Sequence, residues 1–107
     1  MEGAGEICLT KAERKARFDA LTRLGCCVCL REFGAYSPPA IHHLRGHPWS
    51  GAGQRASDEH TIGLCPAHHA DGGHGTAYHA GEKAFEAEYG SQADLLAYTN
   101  ERIKGNE

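Results

Sequence analysis

Apolar positions along this chain follow a helical rhythm at the start and a strand rhythm in the middle. Phe18, Leu21 and Leu24 fall three residues apart on one side of residues 11–24, while Lys11, Arg14, Lys15 and Arg17 occupy the other sides, which predicts a helix. Thr10 with Glu13 forms a capping box at its start, and Gly25 marks its stop. The cations suit a solvated face and a DNA-facing one equally. Two short runs, 40–45 and 60–64, read as strands separated by a glycine-rich loop over 46–57. Pro66 suits the first turn of a helix that Gly72-Gly73 ends or interrupts. Residues 82–89 and 92–104 read as two further helices, parted by Gly90 with Ser91 as cap. A compact turn at Cys26-Cys27-Val28-Cys29 and a segment closed by Ser37-Pro38-Pro39 precede the strands, and residues 1–9 read as a loose leader. The order predicts an α+β domain with an N-terminal helix and C-terminal helices, one unit over residues 1–107.

Composition makes such a domain thin. Leu, Ile, Val and Phe together number 16 of 107 residues, below the roughly 20% at which a packed core becomes doubtful. A net charge of only −3 argues against disorder, so the chain needs a staple, and five Cys with eight His supply the means. Charge is uneven: residues 1–55 carry +3 and residues 56–107 carry −6. Indiscriminate electrostatic capture of a polyanion is thereby excluded, and any contact with DNA must rest on a local site. No run is apolar enough to span a membrane, and residues 1–10 lack the pattern of a signal peptide. A cytosolic location is expected, where paired cysteines hold metal more often than they form disulfides.

Cys26 and Cys29 are three residues apart, and Cys65 and His68 repeat that spacing. Tight turns at this spacing aim two donors at one tetrahedral ion, so the four residues predict a closed structural Zn²⁺ site. Cys27 and Cys8 are left over. The remaining histidines suggest a second, open site. His42 and His43 are adjacent on a predicted strand and so point to opposite faces. His69 follows His68, His60 precedes the second strand, and His74 follows the Gly-Gly break. Imidazole ligands with a free position are what hydrolytic metal chemistry requires.

The order Cys-x2-Cys, His-His, loop, polar residue before a strand, Cys-x2-His-His resembles the HNH nucleases. More narrowly, Ile41-His42-His43-Leu44, Gly51-Ala52-Gly53-Gln54-Arg55-Ala56-Ser57 and Leu64-Cys65-Pro66 look like the phage recombination-enhancement (Ref-type) nucleases, which are RecA-dependent. The tail Ala84-Phe85-Glu86-Ala87-Glu88-Tyr89-Gly90 is similar to segments of related phage proteins, and the resemblance spans about residues 26–90. It implies a treble-clef-like ββα-metal fold and hydrolysis of DNA phosphodiesters, in phage or prophage recombination. It implies His43 as general base, His60 at the position of the middle Asn, and His42 and His69 as ligands of a catalytic Mg²⁺ or Mn²⁺. His74 is the expected third ligand, with Asp71 or water as substitutes. Because His68 and His69 are adjacent, their division between the two metals stays open. Arg45 and Arg55, with Gln54 beside the latter, are the candidates for DNA contact, and Trp49 either stacks on a base or folds the loop onto the domain. DNA is the expected partner, a RecA filament the expected recruiter, and a monomer the expected state. The residues also admit a zinc module that binds DNA or protein without cutting, and a small adaptor protein whose acidic half contacts a partner.

Overall fold

The computed structural model describes residues 9–46, 49 and 57–105. In chain order these form α1 (Lys11–Leu24), α2 (Cys27–Phe33), β1 (Ala40–His43), β2 (Thr61–Leu64), a π-helical turn (Ala67–Asp71), a 3₁₀ turn (Tyr78–Ala80), α3 (Glu82–Tyr89) and α4 (Gln92–Gly105). The described residues make a small α+β architecture with one two-stranded sheet and four α-helices. The expected capping box is present: Glu13 N–H donates to Thr10 Oγ1 at 3.0 Å and Thr10 N–H to Glu13 Oε1 at 2.9 Å. Gly25 closes α1 at φ 84°, a left-handed value that glycine adopts without a Cβ clash.

Three local features differ from the sequence expectation. The turn at 26–29 continues as the seven-residue helix α2, with Cys26 at its N-cap and Gly34 at its C-cap. The strands are shorter than their apolar runs, 40–43 and 61–64. The helix expected after Pro66 is a single π turn, closed by a bond from Gly72 N–H to the Ala67 carbonyl at 2.9 Å. A Cβ at Gly72 would collide with that carbonyl, so the wide turn depends on glycine there. The loop expected over 46–57 lies mostly outside the described residues, as do Cys8, Gln54 and Arg55.

The strands pair antiparallel, with Ala40 opposite Leu64, His42 opposite Ile62 and His43 opposite Thr61. All four β2 residues are buried, because α1, α2 and α4 all pack against that strand. Burial on both sides explains why β2 reads as a continuous run and not as an alternation. Leu44, Ile62, Leu64, Tyr78, Phe85 and Leu95 fill the centre, together with Val28 and Cys26, Cys27, Cys29 and Cys65. Four of the twelve members of this cluster are cysteines. A core this poor in large side chains places the cross-linking donors inside it. Among the described residues no helix is long and apolar enough to cross a membrane.

Candidate metal centres

α2 and the π turn bring Cys26, Cys29, Cys65 and His68 together, all buried. The Cys29 and Cys65 sulfurs are 3.8 Å apart, and His68 Nδ1 lies 3.5, 3.6 and 3.3 Å from the sulfurs of Cys26, Cys29 and Cys65. Four donors at about 2.3 Å (S) and about 2.0–2.1 Å (N) from one tetrahedral ion would be about 3.8 Å (S to S) and about 3.6 Å (S to N) apart. The group therefore fits a metal ion such as zinc. Burial pushes the Cys26 thiol up to about 12 without an ion and lowers the His68 pKa. Cys27, which lies between Cys26 and Cys29 in sequence, turns the other way: it faces Thr99 of α4, and burial pushes its thiol up to about 11.

His69 leaves the same π turn in another direction and meets His42 of β1 and His79 of the 3₁₀ turn. Adjacent residues in a helical turn diverge by about 100°, which lets neighbouring histidines serve two groups. On the division left open by the sequence, the structure groups His68 with the cysteines and His69 with the histidines. His69 Nε2 and His79 Nε2 are 3.1 Å apart, and the ring centroids of His42 lie 5.4 Å from His69 and 5.3 Å from His79. Two imidazole ligands about 2.0–2.1 Å from one ion would be about 3.0–3.4 Å apart, so this trio also fits a metal. His42 Nε2 is buried and has no hydrogen-bond partner among the described residues, an orphaned acceptor of the kind a ligand satisfies. Burial, and then repulsion from His69 and His79, pushes the His42 pKa down to about 3, which keeps its lone pair available. Burial, with His69 next, lowers the His79 pKa too.

The third histidine of this group differs from the expected one. His74 is exposed and lies outside the trio, its ring against Gly81, where a Cβ would come within 2.5 Å of Nδ1. The turn that begins at Gly72 and Gly73 carries the chain past the site, and Tyr78–Ala80 returns it with His79, itself exposed, beside His69. Asp71 is exposed and not in the group either. The only sequence sign of His79 was that it is one more histidine after the break.

His43 faces the opposite side of β1. Its Nε2 lies 2.8 Å from Asp58 Oδ1, and Asp58 Oδ2 lies 2.8 Å from Arg14 Nε of α1. Asp58 is fixed in turn by Thr61, whose hydroxyl donates to the Asp58 carbonyl at 2.8 Å. This carboxylate went unread in the sequence because it adjoins the glycine-rich loop with no motif around it. His60, expected beside the base, instead stacks edge-on with Trp49 at 5.1 Å, while its carbonyl accepts from Leu44 N–H at 3.0 Å. Trp49 packs against the core, favouring the loop-folding role of its two expected ones. Arg45 is held at its backbone by Gln92, which both accepts from Arg45 N–H and donates to its carbonyl at 2.8 Å. Its exposed guanidinium lies 3.7 Å from Glu82.

Comparison with known proteins adds a family to this geometry. A family profile described as "Recombination enhancement, RecA-dependent nuclease" matches residues 10–104. A stretch of 55 residues is 40% identical to the uncharacterized protein YdfU of Escherichia coli (strain K12), covering 51% of this chain. The matched stretch spans only 14% of that relative's length. No solved structure matches the chain at a significant level.

Proposed function

We propose, starting from the fact that the chain belongs to the recombination-enhancement, RecA-dependent nuclease family, that it is a metal-dependent HNH endonuclease hydrolysing DNA phosphodiesters. The observation that carries this reading is the division of labour around β1: His42 in a three-imidazole group on one face, and His43 paired to a carboxylate on the other. In this reading the hairpin and π turn form a ββα-metal domain over residues 1–107, with Cys26, Cys29, Cys65 and His68 holding structural zinc. His42, His69 and His79 would hold the catalytic ion. When bound, that ion supplies Lewis-acid stabilisation of the scissile phosphate and the leaving oxygen. Of Mg²⁺ and Mn²⁺, Mn²⁺ is the better match, since three neutral imidazoles with no carboxylate suit later first-row ions more than Mg²⁺.

His43 is the general base. Donation of Nε2–H to Asp58 leaves Nδ1 as the acceptor for a proton from the attacking water. Asp58 is a positioning residue: it selects the tautomer, fixes the ring and steadies the imidazolium that forms, while Arg14 holds the carboxylate in place. His60 then supports the hairpin more than the base. Arg45, Gln54 and Arg55 are proposed DNA contacts. With a net charge of −3 the protein gathers few phosphates by itself, so a RecA filament recruits it as a monomer in the cytoplasm.

The test is oligonucleotide cleavage with Mn²⁺ by zinc-loaded wild type, His43→Ala and Asp58→Asn. We expect His43→Ala to lose about 10²- to 10⁴-fold in rate with fold and zinc intact. Asp58→Asn should lose less, about 10- to 100-fold, because the ring loses the acceptor that fixes its orientation. Equal cleavage by wild type and His43→Ala would overturn the assignment.

A further inference from the structure

α1, α2 and α4 leave between them an open cleft of about 880 Å³. Its floor is apolar, formed by Leu24, Leu30 and Ile103 with Ala16 and Ala20, and the Tyr36 ring stands at its edge, 57% exposed. Arg17, Arg23 and Arg102 line it, and none of the described residues lining it is acidic. In a chain of net charge −3 that is a local reversal of sign. The cleft also adjoins the His43 face. Arg17 Nε donates to Thr61 Oγ1 at 3.3 Å, and Thr61 is the cross-strand partner of His43. One turn earlier on the same helix, Arg14 holds the Asp58 carboxylate that holds His43. From Arg14 to Arg23 is nine residues of α1, about 14 Å along its axis, the reach of a few nucleotides.

We propose that this cleft binds a single strand of nucleic acid flanking the phosphodiester addressed by His43, with an unpaired base on the apolar floor and phosphates on Arg23 and Arg102. Arg17 is committed to Thr61 and to Asn100 Oδ1 at 2.6 Å, so the phosphate contacts fall to the two exposed arginines. Two features favour an unpaired strand over a duplex. A pocket of this size takes one small organic group, and a base still in its stack cannot enter it. An apolar floor beside an exposed aromatic ring rewards only a base that leaves the stack, whereas duplex tracking needs cations alone. Continuity with the His43 face favours nucleic acid over an acidic peptide. What the bound strand is for rests on the nuclease reading, but its binding does not require cleavage.

The experiment is fluorescence anisotropy on the full zinc-loaded chain, without added catalytic metal and over a series of salt concentrations. The probes are fluorescein-labelled dT12, a 12-base-pair duplex and an oligoglutamate peptide. Both arginines are exposed, so Arg23→Glu with Arg102→Glu leaves the core untouched, which circular dichroism and zinc content verify. We expect the double variant to bind dT12 at least about tenfold more weakly. Its log K against log salt slope should be shallower by about 1.4, at about 0.7 per phosphate on a single strand. Duplex affinity should change less than about threefold, and Arg23→Lys with Arg102→Lys should retain most dT12 affinity, since phosphate contact here is largely electrostatic. Unchanged dT12 binding, equal losses on both DNA forms, or tighter wild-type binding to oligoglutamate than to dT12 would each overturn the proposal. Parallel cleavage assays separate the two readings. Arginine-dependent dT12 binding by a protein that never cuts removes the nuclease reading and supports the cleft. Cutting with dT12 binding indifferent to the arginines does the reverse.

Discussion

Cys27 and Cys29 stand two residues apart in α2 and are both buried, yet they meet different neighbours, and that difference is measurable. Cys29 Sγ lies 3.8 Å from Cys65 Sγ and 3.6 Å from His68 Nδ1, whereas Cys27 faces Thr99. Cys27→Ser exchanges a thiol for a hydroxyl that has Thr99 at hand, a change costing about 1–2 kcal/mol. Cys29→Ser removes one of four donors to an ion. A structural zinc site contributes roughly 10–16 kcal/mol of apparent binding free energy, while a whole domain is stable by roughly 5–15 kcal/mol. Losing a third of the former, about 3–5 kcal/mol, reaches the low end of the latter. The Cys29 variant is therefore expected to purify with little zinc and without a cooperative melt. The Cys27 variant should keep one zinc per chain and melt several degrees below wild type. Elemental analysis by mass spectrometry with far-UV circular dichroism melting reads both quantities. Chelating the wild-type metal should reproduce the Cys29→Ser state. If the two serine variants melt alike with equal metal, or the chelated protein keeps a cooperative melt, then apolar packing and not ligation holds this fold.

Three further outcomes follow from the same structure. With the cysteine site filled, calorimetric titration of Mn²⁺ should show at least about tenfold weaker binding in His79→Ala and no change in His74→Ala, because among the described residues it is His79 that stands with His42 and His69; the opposite pattern would favour His74. Burial holds the Cys27 thiol up at about 11 against an ordinary value of 9.0, so the folded state keeps a proton that the unfolded chain releases first. Its contribution is full below about pH 9 and is lost as the pH rises toward 11; the melting temperature should fall over that window, and less so in Cys27→Ala, and equal falls in both would refute it. At ~150 mM salt cleavage of naked duplex should be slow and should rise, focused on the paired region, when RecA, ATP and a homologous oligonucleotide are added; naked duplex cut just as fast would contradict the recruitment argument.

Local signals in the chain were enough for everything that depends on a few consecutive residues. The capping box at Thr10 and Glu13, the stop at Gly25, the two strands and the helices from 82 onward are all set by short-range chemistry, and the structure contains them. The cysteine set was legible for a related reason: two donors three residues apart declare a shared target even before the 36-residue gap between the pairs is closed. Residues whose partners are set by how loops return were not legible. Asp58 reaches His43 because the β1–β2 register brings the turn before Thr61 alongside β1, and nothing at Asp58 itself encodes that register. His79 and not His74 stands beside His69 where a π turn that needs Gly72 shapes the path, so sequence proximity to His69 was a poor guide to distance from it. The arginine-lined cleft needs three helices to meet, and its cations are scattered over 86 positions from Arg17 to Arg102 inside an acidic average. Spacing along the chain determined which donors could share an ion; only the packing of β2 against α1, α2 and α4 decided which carboxylate, which third histidine and which cations share a face, because those contacts are made across the core and not along the backbone.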